Sequence, residues 1–227
     1  MRLTKSIKEK LKLSWSDENS KLGKDDIISF NLPAFQSASG FKVCHGASVA
    51  CSAFCYARQG FFTMPVVQKV YETNLLLARY KPVEFYQAVA EDLHIIPHTK
   101  IRIHSSGDFF NREYLNTWIN ISREYRDKQF YCYSKIYHML IEQMDVSVPS
   151  NFLVVQSLGG KYDHLINWNN PVSKVFQSMQ HFDQVNGLLE EGNKWINCSK
   201  SDLGILQNVK RVGLIFHGKK GKDSVPF

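Results

Sequence analysis

Three cysteines lie close together near the start of the chain, and cysteine thiolates are strong ligands for metal ions. Cys44, Cys51 and Cys55 fall within twelve residues of the segment 43–57, although the whole chain has only five cysteines. In a protein without the features of a secreted one, this crowding predicts a shared metal ion or iron–sulfur cluster rather than disulfides. Three independent buried cysteines are the alternative, because free cysteine packs as a small hydrophobic residue.

The spacing does not determine which metal binds or which residue is the fourth ligand. Zinc takes four ligands in a structural site, or three and an open position in a catalytic one. A [4Fe–4S] cluster held by three thiolates keeps one iron open for a substrate or cofactor. Candidates for the fourth ligand are Cys198, His45, His104 and His217. Cys132 lies in an alternating segment and is predicted to be a core residue.

Alternating strands and helices must position these residues. Strands are predicted at 26–31, 100–104, 129–133, 151–156, 173–177 and 212–216, and helices at 64–79, from Pro82 onward and at 112–125. This alternation indicates βα units with a mainly parallel sheet. About five or six such units are fewer than the eight of a complete barrel, so we predict an α/β fold that is an incomplete TIM-like barrel.

Polar side chains follow the predicted strands, and in parallel α/β folds the active site gathers at these C-terminal strand ends. The cysteine segment follows the first strand. The residues predicted to be catalytic are Ser106, Asp108 and Lys135, and those predicted to bind a cofactor are Tyr56, His104, Ser134 and Ser157. Asp108 and Ser134 have an ordinary alternative as turn and capping residues. His104 shares the strand parity of Arg102 and has the alternative of a buried structural histidine.

The composition indicates a globular protein, with 44% hydrophobic and 22% charged residues. Neither an apolar run long enough for a membrane span nor a signal peptide is found, so we expect a cytoplasmic protein without membrane contact. Residues 1–25 are predicted to form a basic helix and linker, and residues 26–227 a single domain. The net charge is +7, which makes nucleic acid a candidate partner. The excess lies near the ends, at Lys5, Lys8, Lys10, Lys12, Lys210, Arg211, Lys219, Lys220 and Lys222.

Several motifs, in order, resemble those of the phage gene-product-88 family. The cysteines are followed by Tyr56-Ala57, by Gly60-Phe61-Phe62, by Arg-Ile-His-Ser-Ser-Gly-Asp-Phe at 102–109 and by Phe-Tyr-Cys-Tyr-Ser-Lys at 130–135. The resemblance implies a cluster on the cysteines and a phage origin, hence the host cytoplasm, but no particular reaction. The loop is also similar to the cluster loop of radical S-adenosylmethionine enzymes. Its C-x6-C-x3-C spacing departs from their C-x3-C-x2-C, and their Gly-Gly-Glu is absent.

Three functions follow as hypotheses. The first is a [4Fe–4S] enzyme that uses S-adenosylmethionine as a candidate cofactor and acts on a small molecule. The second is a zinc-containing barrel enzyme that modifies a nucleobase in DNA or RNA, in the manner of a transglycosylase, with Asp108 as the nucleophile. The third is a nucleic-acid-binding phage protein without enzymatic activity, in which the metal only stabilises the loop.

Overall fold

One eight-stranded sheet organises the chain. The computed structural model describes residues 3–17, 21–207 and 209–216, so His217, Lys219, Lys220 and Lys222 lie outside the described residues. The strands are β1 Trp15–Ser16, β2 Ile27–Phe30, β3 Lys100–Ile103, β4 Gln129–Ser134, β5 Phe152–Ser157, β6 Val172–Phe176, β7 Ile196–Asn197 and β8 Arg211–Ile215.

Eight α-helices are found in the described part of the chain. They are α1 Lys5–Lys10, α2 Val49–Ala53, α3 Pro65–Tyr80, α4 Pro82–Ile95, α5 Arg112–Glu124, α6 Tyr137–Ile141, α7 Met179–Gly187 and α8 Leu203–Leu206. Pro65 and Pro82 occupy first helical positions, where the absent N–H has no intrahelical acceptor to lose. Among the described residues, none of the helices combines the length and apolar character that a membrane span requires.

The strands follow the order β1-β2-β3-β4-β5-β6-β8-β7. β1 pairs with β2 in antiparallel fashion, and every other pair in the sheet is parallel. The first and last strands in this order do not pair with each other within the described residues, so the sheet is open there. The predicted α/β fold with a mainly parallel sheet is confirmed, as are all six predicted strands, within one or two residues at their ends.

The two faces of the sheet differ in chemistry because side chains alternate along each strand. One face, here called the helix face, carries Ile101, Ile103 and Phe130 and packs against helices α3, α4 and α5. Cys132 is fully buried on this face, which confirms it as a core residue. The other face, here called the inner face, carries Arg102, Tyr131, Tyr133, Val155 and Ser157.

The segment before β2 packs on the rest of the molecule. Leu3 and Leu13 are buried in the core of the helix face. The carboxylate of Asp92 on α4 accepts hydrogen bonds from the backbone N–H of Lys12 at 2.9 Å and of Leu13 at 3.1 Å, and from Trp15 Nε1 at 2.8 Å. Helix α1 is the basic helix expected in residues 1–25, and the chain after it is fastened to α4.

Candidate functional site

The cysteine segment contains a short helix that its sequence pattern did not indicate. Ser48 caps helix α2, since its hydroxyl accepts a hydrogen bond from the N–H of Cys51 at 3.0 Å. Cys51 lies in this helix and Cys55 follows four residues later, just beyond its end. Cys44 precedes the helix, and its Sγ accepts a hydrogen bond from the N–H of Phe35 at 3.2 Å.

The cysteine loop, residues 44–56, lies directly against the end of β4 at Gly46. A Cβ added to Gly46 would lie 2.5 Å from the carbonyl oxygen of Lys135, so only glycine fits at this approach. The carbonyl of Gly46 accepts a hydrogen bond from Lys161 N at 2.9 Å, in the segment after β5. Gly160 also packs closely, although with less overlap, because an added Cβ there would lie 3.1 Å from Gly46 O and from Lys135 Cβ.

Two side chains fasten the loop to neighbouring strand ends. The Ser48 hydroxyl donates to the carbonyl of Gly159, after β5, at 2.7 Å. The Tyr56 hydroxyl donates a short hydrogen bond to the carbonyl of Ser105, after β3. With the Gly46 contact, the loop is therefore held at the C-terminal ends of three adjacent parallel strands. The structure thus brings the predicted residue Tyr56 to the same edge as the other predicted site residues.

The three loop thiols share one environment with two of the predicted polar residues. Burial raises the pKa of Cys44, Cys51 and Cys55. The charge of Asp108 raises the pKa of Cys44 further, whereas the ammonium of Lys135 opposes the shift at Cys51. The three thiols also act electrostatically on one another, which places their side chains in one region.

The donor set suits a soft metal or an iron–sulfur cluster, because it consists of three thiols that are free of disulfides. As the side chains stand, the described residues contain no group of three or more His, Cys, Asp or Glu side chains that could hold a metal ion. The thiols are protonated in this arrangement, since burial raises their pKa, and a bound cation would favour the thiolates.

Asp108 joins the ends of β3 and β4. Its Oδ1 accepts hydrogen bonds from the Ser134 hydroxyl at 2.7 Å and from Phe109 N at 2.8 Å, and its Oδ2 accepts from Lys135 N at 2.9 Å. Burial raises the pKa of Asp108, although these hydrogen bonds oppose the shift. Ser134 also accepts from the N–H of Tyr137, the first residue of α6, at 2.9 Å, although the N-cap position of this helix is occupied by Ile136.

Lys135 extends from this corner to the end of β5. Its Nζ donates to the hydroxyl of Ser157 at 2.9 Å and, by a short bond, to the carbonyl of Leu158. Three predicted residues, Asp108, Lys135 and Ser157, are therefore linked in a row across the ends of β3, β4 and β5. The rule that sites gather at these ends identified them correctly as neighbours.

His104 does not keep the face that strand alternation predicts. Its φ of 68° is left-handed, which ends β3 and turns the ring toward Phe109 and Tyr114, residues of the helix-face core. The imidazole Nε2 is 2.9 Å from the Tyr114 hydroxyl. Burial, together with the charge of Arg102, lowers the pKa of His104 to about 3, so the ring is neutral. The buried-histidine alternative describes these contacts, with a tyrosine as the partner.

Ser106 is held in place through its backbone. Asn31, directly after β2, accepts hydrogen bonds on its Oδ1 from Ser105 N at 2.7 Å and from Ser106 N at 3.1 Å. The hydroxyl of Ser106 is buried and has no hydrogen-bond partner within the described residues. Asn31 was not predicted, although an amide directly after the first strand was the signal that would have found it.

The candidate fourth ligands occupy different places. Cys198 is buried on the inner face, where it packs with Val155 and Val212. None of the interactions that shift the three loop thiols involves Cys198. His45 follows Cys44 in the loop, burial lowers its pKa, and its Nδ1 has no hydrogen-bond partner within the described residues.

A buried charge network on the inner face was not predicted. Asp202, before α8, accepts hydrogen bonds from Arg102 Nη1 and the Tyr131 hydroxyl, both at 2.8 Å, and from the Tyr133 hydroxyl at 3.2 Å. Lys21 Nζ is 2.7 Å from the same carboxylate. Burial alone would raise the pKa of Asp202, but Arg102 and Lys21 outweigh it and hold the pKa below its ordinary value. The sequence feature that could have indicated this network is Arg102 on one strand together with Tyr131 and Tyr133 at alternate positions of the next strand.

Comparison with known proteins gives one relationship. The family model described as "Gene product 88" matches residues 3–224, which is nearly the whole chain. No curated protein and no solved structure matches.

Proposed function

We propose that this chain, which belongs to the gene product 88 family, is an iron–sulfur enzyme with Cys44, Cys51 and Cys55 as its cluster ligands. The observation that carries the proposal is the attachment of the cysteine loop to three adjacent strand ends. This attachment brings the thiols into electrostatic contact with Asp108 and Lys135. A metal-binding loop beside a buried acid and a lysine is an arrangement suited to catalysis.

The cluster would supply one-electron chemistry, with an iron left open by the three-cysteine set. The protein's own residues would arrange the surroundings. Asp108 is a positioning residue, because its two oxygens hold the Ser134 hydroxyl and the backbone of Lys135. Lys135 would present its ammonium to a substrate at the ends of β4 and β5. Tyr56 would keep the loop at a fixed height above β3 through its bond to Ser105.

We further interpret the open parallel sheet as an incomplete TIM-like barrel whose inner face would be the substrate side. This interpretation makes S-adenosylmethionine a candidate cofactor, as the similarity of the loop to that of radical S-adenosylmethionine enzymes implies. The polar residues of the inner face support it, since Arg102, Tyr131 and Tyr133 together are unusual in a purely structural core.

The geometry favours this proposal over the two other hypotheses. A nucleophilic Asp108, as in the zinc-dependent nucleobase enzyme, would need an oxygen that a substrate can reach, whereas this side chain is buried and both of its oxygens hold neighbouring groups by hydrogen bonds. Against nucleic-acid binding, two of the basic residues near the N-terminus have acidic partners: Lys8 lies 3.3 Å from Asp17, and Lys12 forms a close ion pair with Glu91.

The decisive experiment measures iron and acid-labile sulfide in protein purified and reconstituted without oxygen. We expect about four irons and four sulfides per chain, with a large loss in each of the Cys44→Ala, Cys51→Ala and Cys55→Ala variants. Cys132→Ala is the matched control, because it removes a buried thiol of strand β4 that lies outside the cysteine loop, and it should keep its iron.

The same measurement tests the fourth ligand and the competing metal. Loss of iron in Cys198→Ala would add that thiol to the ligand set. One zinc and no sulfide per chain would refute the iron–sulfur proposal and favour the zinc hypothesis. Iron that is unaffected by all three loop substitutions would also refute it.

A further inference from the structure

We infer that the inner face, where the ends of β4 and β5 lie beside the start of β6, binds an oxyanion, the carboxylate or phosphate of a small molecule, through Lys135, Ser157 and Ser173. This inference rests on the proposed function and extends it, because it names the chemical class of the substrate. It depends on three residues on one face of the sheet, each of which has at least one donor hydrogen without a protein acceptor within the described residues.

The first two donors belong to Lys135 and Ser157. Lysine has only donors, so in the 2.9 Å contact between Lys135 Nζ and Ser157 Oγ the serine oxygen accepts. The hydrogen of that hydroxyl finds no acceptor within the described residues. Lys135 uses a second N–H on the carbonyl of Leu158, which leaves its third N–H available.

The third donor is Ser173 on the adjacent strand. Ser173 pairs directly with Ser157 in the parallel ladder between β5 and β6, so both side chains lie on the same face, on strands about 4.8 Å apart. Ser173 is only 1% exposed, and its hydroxyl has no hydrogen-bond partner within the described residues. Buried hydroxyls without partners are rare, since leaving one unpaired is unfavourable, and a bound ligand group would explain this one.

The charge of Lys135 favours an anion at this place. Within the described residues no carboxylate lies within ion-pair distance of Lys135 Nζ, although its charge acts on the nearby Asp108. Further along the same face, Arg102 and Lys21 share the single carboxylate of Asp202. Lys135 therefore has no ion-pair partner of its own here, and an oxyanion bound to it would receive both hydrogen bonds and charge compensation.

The test is calorimetric titration of the full-length protein, with and without iron, using inorganic phosphate and acetate as probes. We expect saturable binding of at least one anion, and the tighter one indicates the ligand group. Ser173→Ala should weaken that binding about tenfold or more, the usual loss of one hydrogen bond to a charged group. Lys135→Met should weaken it further. Lys174→Met is the matched control, because Lys174 lies next to Ser173 on the other face of β6.

Thermal unfolding separates a binding role from a structural one. If the Ser173 hydroxyl serves to bind a ligand, Ser173→Ala should unfold at the wild-type temperature or above it in the absence of anion, because the substitution removes an unpaired buried hydroxyl. A lower unfolding temperature together with unchanged anion affinity would overturn the inference, as would the absence of saturable binding for both anions. If the protein binds an anion but takes up no iron and sulfide on anaerobic reconstitution, the proposed function alone is refuted. If it takes up iron but binds neither anion, this inference alone is refuted.

Discussion

Replacing Gly46 with alanine tests whether the close packing of the cysteine loop on β4 is needed to hold a metal. The new Cβ would lie 2.5 Å from the carbonyl oxygen and 2.8 Å from the carbonyl carbon of Lys135. Both are backbone atoms, so no side-chain rotation can relieve the overlap, and the loop or the strand end must move. The same movement would displace Cys44, two residues away, from its position beside Asp108.

The size of the effect can be estimated. Overpacking in a tightly packed region typically destabilises a protein by about 1–3 kcal/mol. For a chain of this length each kcal/mol lowers the unfolding temperature by about 2–4 °C. We therefore expect Gly46→Ala to unfold roughly 2–12 °C below the wild type. Iron retained after anaerobic reconstitution should fall in parallel.

Gly187→Ala is the matched control for this substitution. A Cβ added at Gly187, the last residue of α7, meets no atom within 4 Å. The control should therefore unfold at the wild-type temperature or slightly above it, because alanine favours the helix, and its iron content should not change. Wild-type stability and iron content in Gly46→Ala would refute the claim that this contact positions the loop.

Two further predictions concern buried charge. Asp202→Asn should lower the free energy of unfolding by about 3–5 kcal/mol, because Arg102 and Lys21 lose their shared carboxylate. Urea denaturation would measure this loss. The control is Asp183→Asn, a substitution of an exposed residue that should stay within about 0.5 kcal/mol of wild type. His104 should make the protein less stable in acid: its pKa is about 3 when folded and about 6.5 when unfolded, so the unfolded state binds a proton between these values and stability falls by about 1.4 kcal/mol per pH unit on acidification. His104→Asn, which also tolerates left-handed backbone, should flatten this dependence between pH 6.5 and 4.5, and an unchanged slope in urea denaturation would contradict the explanation.

The main elements of the fold could be predicted because their signals are local. Alternation of apolar and polar residues marks β3, short runs of apolar and aromatic residues mark β4 and β5, and apolar spacing with a leading proline marks α3 and α4. The two-residue strands β1 and β7 could not be predicted, since so short a segment contains no periodicity. The left-handed His104 was also missed, because strand alternation assumes extended backbone that this residue abandons.

Only the part of the candidate site that follows the parallel strands could be predicted from the sequence. The rule that functional residues follow parallel strands brought Asp108, Lys135 and Ser157 together before any contact was known. It says nothing of Asp202, which lies 100 residues from its partner Arg102 in a segment without clear periodicity. Pairings between such distant charges depend on tertiary packing, and a single sequence carries no local mark of them.

The attachment of the cysteine loop also has a consequence for how the protein is made. Ser48 and its partner Gly159 are 111 residues apart, and the loop's other anchors, Ser105 and Lys135, are also synthesised long after the cysteines. At ordinary rates of translation, about 5–20 residues per second, the thiols emerge from the ribosome roughly 6–20 seconds before Gly159, the last anchor of the loop. During that interval they are unprotected from oxidation, and any metal delivered early would meet an unformed site. We therefore expect correct loading to follow chain completion and to depend on surroundings that keep the nascent thiols reduced.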